Sequence, residues 1–273
     1  MVVRSILLFM LMCTNAFAAL TISGVTLSGV TAGGGVPIVR LMPCGDSLTQ
    51  AGDAGGYRGV LHTDYLSTTY DFVGSRRNPL FGVTAFDPYH AGLGGDWTYH
   101  LEARLTSGGD DDLDIYMPDG QTTEGSIALI MIGVNDLWGV YNTATYNSRA
   151  VPAVDNVEDI IDLFHAHNSE IKLYVALITP NYASSGIFQT YVNQFNVALN
   201  SMLETYQGSK SNIVIVDMNS AIVNDTFSVC SGDVEGNCFN ADGVHPNATG
   251  YSAIAQQWNA CINNPTNTNC NGN

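Results

Sequence analysis

Four short stretches of this 273-residue chain carry side chains that could do chemistry together. The first is Gly45-Asp46-Ser47-Leu48-Thr49, where a glycine lets the backbone turn sharply and a serine can lift its hydroxyl clear of the turn. A serine hydroxyl is a weak nucleophile unless a base lies within hydrogen-bond reach. Asp242-Gly243-Val244-His245-Pro246 offers one. With two residues between them, the Asp242 carboxylate can turn back to His245 Nδ1, fix the tautomer that presents Nε2, and stabilise the imidazolium formed when the serine proton is taken. A lone Asp-x-x-His is more often structural than catalytic, and it is the serine stretch that reverses that balance. In Gly133-Val134-Asn135-Asp136 the amide of Asn135 can donate to a developing oxyanion without bringing a charge, or it can simply cap a turn. In His90-Ala91-Gly92-Leu93-Gly94-Gly95-Asp96-Trp97 the glycines let a backbone N–H approach a substrate oxygen, or just make a tight turn. The chemistry these types suit is acyl transfer through a serine.

Such groups need a scaffold that holds them at one edge. Short apolar runs at Ile38 to Met42, Tyr70 to Val73, Ile127 to Ile132, Leu173 to Ile178 and Ile213 to Val216 read as buried strands. Helical patterns lie between or after them, at Tyr57 to Leu66, Val154 to His165, Phe188 to Tyr206 and Gly250 to Cys261. Strands alternating with helices predict an α/β fold with about five parallel strands covered on both faces. In such sheets ligands gather at the carboxyl ends of the strands, and each stretch sits at or just beyond the end of a predicted strand or, as Asp242 to Pro246 does, in the final loop before the last helix.

The first eighteen residues have the three parts of an export signal: Arg4, the apolar run Ile6 to Met12, and Ala16-Phe17-Ala18 before a cleavage point near Ala19. The run is too short to span a bilayer, and a lipid anchor through Cys13 is disfavoured by the bulky Met12. Residues 19–36, rich in Gly, Ser and Thr, read as a flexible lead-in, and 37–273 as the working domain. The net charge of −16 lacks the basic footprint that nucleic acid or an anionic membrane requires, and fits an exported protein kept soluble by its acidity; a monomer is expected, though nothing in the sequence fixes the oligomeric state. Five cysteines would remain after cleavage, in a compartment that favours pairing. Cys44, inside an apolar run, is expected to stay a buried thiol. Cys230, Cys238, Cys261 and Cys270 can pair in three ways; sequence neighbours, Cys230 with Cys238 and Cys261 with Cys270, are preferred, each closing a loop of about nine residues for roughly 2.6 kcal/mol.

In this order, the four stretches resemble the conserved blocks of the SGNH (GDSL) hydrolases: GDSL-T at Ser47, a glycine block at Gly92, Gly-x-Asn-Asp at Asn135, and Asp-x-x-His-Pro at Asp242 and His245. The resemblance covers roughly Val36 to Cys261 and implies a three-layer, flavodoxin-like sandwich. It also implies an oxyanion hole built from Ser47 N–H, Gly92 N–H and Asn135 Nδ2. Within the superfamily the chain is similar to family three of the carbohydrate esterases, through Leu41-Met42-Pro43, Gly55-Gly56-Tyr57-Arg58, Asp71 to Ser75, His90-Ala91-Gly92 with Trp97, Val216-Asp217-Met218 and Asp242 to Tyr251. It departs at Val134, at Ala91, and in the acidic, extended segment Ser107 to Gly125.

The resemblance implies a secreted esterase that cleaves short acyl esters, acetyl first, on a polysaccharide such as xylan, with Ser47, His245 and Asp242 as triad and no metal or cofactor. Tyr57, Arg58, His90 and Trp97 are candidates to line the substrate site, though aromatics at helix starts more often belong to a core. A lipase, lysophospholipase or thioesterase is the rival within the fold, and a non-catalytic carbohydrate-binding protein the rival outside it. Asp110, Asp111, Asp112 and Asp114 could ligate Ca²⁺, but their spacing matches no EF-hand and a solvated loop is the preferred reading. Asn224 and Asn247 fit the glycan acceptor pattern.

Overall fold

The computed structural model describes residues 39–272 apart from 53–54, 67–69, 79–85, 119–124, 184–186, 211, 225, 227, 231–233 and 268, together with Thr21–Ile22 and Val25–Thr26. The chain divides into two units, Met1–Val36 and Pro37–Asn273. In the first, β1 (Thr21–Ile22) and β2 (Val25–Thr26) pair antiparallel. The signal expected over residues 1–18 and most of the lead-in expected over 19–36 lie outside the described residues.

In the second unit all five apolar runs form strands: β3 (Val39–Gly45), β4 (Tyr70–Phe72), β7 (Ile127–Met131), β8 (Lys172–Leu177) and β9 (Ile213–Asp217). Three strands with no apolar run join them, β5 (Arg76–Arg77), β6 (Tyr89–Gly92) and β10 (Cys270–Gly272). The sheet order is β10-β9-β8-β7-β3-β6-β5, with β4 against the first half of β3 and β6 against its end. The middle of the sheet is parallel; β5 and β10 run antiparallel at its two edges.

Every residue of β7 is buried, and its side chains alternate between two cores. Ala128 and Ile130 pack with α5 (Thr143–His167) and α6 (Ile187–Gln207). Ile127, Leu129 and Met131 pack with α2 (Gly56–Val60), α7 (Met218–Val223) and α9 (Ala248–Asn263) on the other face. Each fully buried Ile or Leu contributes about 1.5–3 kcal/mol, so the apolar run specifies a two-sided central strand. This is the three-layer α/β arrangement expected from the sequence, with helices over both sides of a mostly parallel sheet.

Two boundaries differ from expectation. The helix expected from Val154 starts at Thr143, behind an Asn142 cap whose side chain accepts from Thr145 N–H at 2.9 Å, and runs through Pro152. The helix expected over Tyr57 to Leu66 is α2 followed by a π-helical turn, Leu61–Leu66.

The acidic segment is only in part the solvated loop it reads as: Asp110 and Asp114 are exposed, at 72% and 71%, whereas Asp111 and Asp112 are buried. Asp111 is fully buried against the Arg104 guanidinium and accepts from Ser75 N–H at 2.8 Å, while Asp112 caps α4 (Leu113–Tyr116) through Asp114 N–H at 2.9 Å. Asp110 pairs with Arg76 at 3.4 Å and Asp114 with His167 at 3.3 Å. These carboxylates serve as caps and ion-pair partners. Among the described residues no cluster of three or more His, Cys, Asp or Glu could hold a metal ion. The two disulfides join Cys230 to Cys238 and Cys261 to Cys270, the latter bringing β10 to the sheet edge, and Cys44 is a buried free thiol pushed up to about 12 by burial. No helix among the described residues is long and apolar enough to cross a membrane.

Candidate active site

β3 is the third strand from the β5 edge, flanked at its carboxyl end by β6 and β7, and Gly45 closes it. A methyl group on Gly45 would lie 2.2 Å from the Met131 carbonyl oxygen, so only glycine lets the chain leave the sheet there. The next residue, Asp46, caps α1 (Ser47–Gln50) by accepting from Leu48 N–H at 2.9 Å, and this sets Ser47 on the first turn, at the rim.

Ser47 Oγ lies 2.9 Å from His245 Nε2, and His245 Nδ1 lies 2.9 Å from Asp242 Oδ2. The loop bearing the latter two folds on itself: Asn240 N–H donates to His245 O at 2.8 Å, and Asp242 Oδ1 accepts from Val244 and His245 N–H at 2.8 and 2.9 Å. Tyr182 N–H donates to Gly243 O at 2.7 Å and ties the loop to the segment after β8. Partial burial pulls the Asp242 carboxyl up, but the His245 and Val244 N–H donors and the imidazole outweigh it and hold the group below the usual carboxylate range. Asp242 is therefore an anion positioned to orient and charge-stabilise the ring.

Asn135, just past β7, donates Nδ2 to the Asp96 carbonyl at 2.8 Å, which leaves its second amide hydrogen for another acceptor. Gly92 sits differently from expectation. It lies inside β6 opposite Gly45, and its N–H donates to His90 Nδ1 at 3.0 Å. Gly94, two residues on, lies beside the nucleophile: a methyl built there would lie 3.8 Å from Ser47 Cβ. Its N–H donates to Gln50 Oε1 at 2.6 Å. Gly94 and Gly95 are the middle of a turn closed by Asp96 N–H to Leu93 O at 3.1 Å, and Gly95, at φ 82°, supplies the left-handed residue the turn needs.

Three residues expected to line the substrate site are interior instead. Tyr57 is fully buried, packs on Trp258 at 6.2 Å between ring centres, and shares a hydrogen bond with Thr49 Oγ1 at 3.2 Å. Arg58 is fully buried as well, donating to the carbonyls of Thr49, Gln50 and Pro88 at 2.7, 2.9 and 3.2 Å, so it clamps the turn that carries Ser47 from behind. Burial lowers it to about 10, still a cation. His90 is driven down to about 2 by burial and by Arg58, Arg76 and Arg104, and works as a neutral acceptor. All three sit beside a motif but face the core, a distinction that adjacency in sequence does not carry. Trp97, the fourth, is half-buried at the start of α3 (Thr98–Leu105) with the Arg149 guanidinium 5.3 Å over its ring.

The residue that sequence reasoning passed over is Asp96. Its carbonyl holds Asn135, its N–H closes the Gly94-Gly95 turn, and its carboxylate accepts from Arg104 Nε at 2.9 Å. Arg104 also reaches Asp111 and the Ala91 carbonyl. Asp136 accepts from Thr98 N–H and Thr98 Oγ1, the latter at 2.9 Å, tying the start of α3 to the β7 loop. Burial raises Asp136 to about 6 and Asp46 to about 7, Asp46 being raised further by Asp136 and Asp96. Both positions were in view inside their motifs, yet neither motif says that the carboxylate is buried.

The cavity of about 390 Å³ lined by His165, Ser169, Glu170, Ser209, Lys210 and Asn212 lies where β8 and β9 begin, the opposite end of the strands from Ser47. At Asn247 the side chain caps α9 through Thr249 and Gly250 N–H and donates to the Asn237 and Phe239 carbonyls, so its amide is engaged within the turn.

The chain is 27% identical over 243 residues to a multidomain esterase of Ruminococcus flavefaciens, covering 81% of this chain and only 28% of that relative's length. A carbohydrate esterase of family 3 from Talaromyces cellulolyticus superposes with a TM-score of 0.60 at 24% identity, covering 82% of this chain and 96% of that one. A family 3 carbohydrate esterase of Clostridium thermocellum gives 0.56 at 22% identity, with 81% and 92% covered. The sequence profile of the GDSL-like lipase/acylhydrolase family matches residues 44–253, and this chain belongs to that family of carboxylic ester hydrolases.

Proposed function

We propose that this chain is a secreted serine esterase that removes short acyl groups, acetyl above all, from a polysaccharide such as acetylated xylan. The observation that carries the reading is the unbroken relay from Ser47 Oγ through His245 to Asp242, both contacts at 2.9 Å. Ser47 attacks the ester carbonyl as His245 takes its proton; the imidazolium, steadied by Asp242, then protonates the departing alcohol. Water, deprotonated by the same imidazole, attacks the acyl-enzyme and releases the acid.

The oxyanion is assigned to Ser47 N–H, to the free Nδ2 hydrogen of Asn135, and to the Leu93–Asp96 turn through Gly94. Gly92, expected for the third place, is set aside because its N–H is held by His90. Gly94 N–H is engaged as well, by Gln50 Oε1 at 2.6 Å, and must exchange that acceptor for the ester oxygen to serve. Secretion is supported by the export-type first eighteen residues and the two disulfides. Acetyl on polysaccharide is supported by the family 3 carbohydrate esterases among the structural neighbours.

Ser47→Ala should abolish hydrolysis of p-nitrophenyl acetate while the fold persists; full retained turnover refutes the nucleophile. Acetate release from acetylated xylan, set against octanoyl esters, tests the substrate, and preference for the longer chain would favour a lipase instead.

A further inference from the structure

We propose that Trp138, Tyr141 and Tyr99 form a stacking ledge that receives pyranose rings of a neutral polysaccharide next to the ester being cleaved. The inference rests on the esterase reading and adds to it the residues that hold the polymer.

Large aromatic rings are usually covered, yet Tyr99 is 48% exposed, Trp138 58% and Tyr141 70%. Their position is not random. In the sheet order β7 and β6 flank β3, whose end carries Ser47; Trp138 and Tyr141 come from the loop after β7, and Tyr99 from the start of α3 after β6. Trp138 N–H donates to the Asn135 carbonyl at 3.1 Å, and Tyr99 lies edge-on to Trp97 at 6.1 Å between ring centres, which ties the first ring to the loop that carries Asn135 and the second to the one that follows the Leu93–Asp96 turn.

The ledge is built in advance. Arg149 stacks over Trp97 at 5.3 Å and donates to the Trp138 carbonyl, joining the two loops. Trp138 leans edge-on against Phe188 at 6.0 Å, and Val140 N–H closes onto Leu137 O at 2.9 Å. Rings held in place lose little freedom on binding, so more of the contact becomes affinity. A pyranose presents C–H groups on its faces and hydroxyls round its rim; an aromatic face covers the first and leaves the second in water. The net charge of −16 repels anionic surfaces and polymers, which leaves a neutral glycan as the matching occupant. Trp97, with Arg149 over its ring, serves as a support.

The test uses the full chain with Ser47→Ala, which stops turnover, in affinity electrophoresis through gels containing deacetylated xylan or glucomannan. Retardation by at least one of these neutral polymers is expected. Trp138→Ala or Tyr141→Ala added to that chain should weaken retention about tenfold, and Trp138→Phe should keep it within about threefold. No retention on either polymer, or equal retention by the alanine variants, overturns the ledge. p-Nitrophenyl acetate hydrolysis by the chain with Ser47 intact judges the esterase reading separately, so the two can fail independently.

Discussion

Replacing Arg104 by methionine keeps most of the side-chain volume and deletes one charge, yet it should be among the most damaging single changes outside the triad. The guanidinium is about one-tenth exposed and sits between Asp96, 7% exposed, and Asp111, 0% exposed. Removing one partner from a buried pair leaves an uncompensated charge and costs about 3–5 kcal/mol. In a domain of this size that corresponds to a fall in Tm of about 6–20 °C. Urea unfolding followed by tryptophan fluorescence reads it, with the fully buried Trp258 as an internal reporter. The double variant Arg104→Met with Asp111→Asn separates mechanisms: discharging the buried carboxylate should recover about 1–2 kcal/mol if the cost is an unpaired charge. Because Asp96 O fixes Asn135, kcat of the folded variant should fall as well, with KM moving less. A loss under about 1 kcal/mol, or no recovery in the double variant, would falsify the claim that this triad of charges organises the region.

Other outcomes follow from the same geometry. Asp242→Asn keeps the contact to His245 Nδ1 but permits the wrong tautomer, so kcat on p-nitrophenyl acetate should drop by about 10⁴-fold; less than tenfold would remove Asp242 from the relay. Asp46 is a carboxyl whose folded value, about 7, lies above its unfolded one. The folded state thus binds the extra proton, and this group lowers stability progressively as pH rises from about 4 to 7. Asp46→Asn, which still caps α1, should therefore gain on the parent across that window in urea midpoints, and a pH-independent difference would count against it. Serines at Cys261 and Cys270 should cost about 2–4 kcal/mol and speed amide exchange in β10 ahead of the rest of the sheet; unchanged β10 protection would show that the edge strand does not need its tether.

The sequence makes the central sheet legible because four of its strands, Ile127–Met131 above all, are apolar throughout or nearly so, and that pattern has few other folded solutions. The edges are silent for the opposite reason. Cys270–Gly272 has no hydrophobic period and is tethered by a disulfide; Arg76–Arg77, which pairs with β6, carries no apolar residue. Pro152 disguises the first turns of α5, since proline in a helix interior removes a donor and usually ends the element. At the site, Ser47, His245 and Asp242 can be named from local spacing, since that spacing fixes which atoms can reach each other. Tyr57, Arg58 and His90 stand equally close to the motifs, and only the packing of Trp258 and the carbonyls around Arg58 reveals that they face inward. Asp111 is the same lesson in charge: its burial depends on Arg104, seven residues away, and nothing in an acidic run announces a cationic partner.

Cys44 has a bearing on how the protein matures. It occupies the strand at the heart of the fold, wholly enclosed, and its thiol stays protonated at any ordinary pH. Once β3 has settled between β6 and β7 it cannot exchange with Cys230, Cys238, Cys261 or Cys270, all of which belong to the last quarter of the chain. Correct cross-linking then becomes a matter of timing. Collapse of the sheet ahead of oxidation puts the Cys44 thiol out of reach of those four, whereas oxidant acting on an open chain exposes it to them.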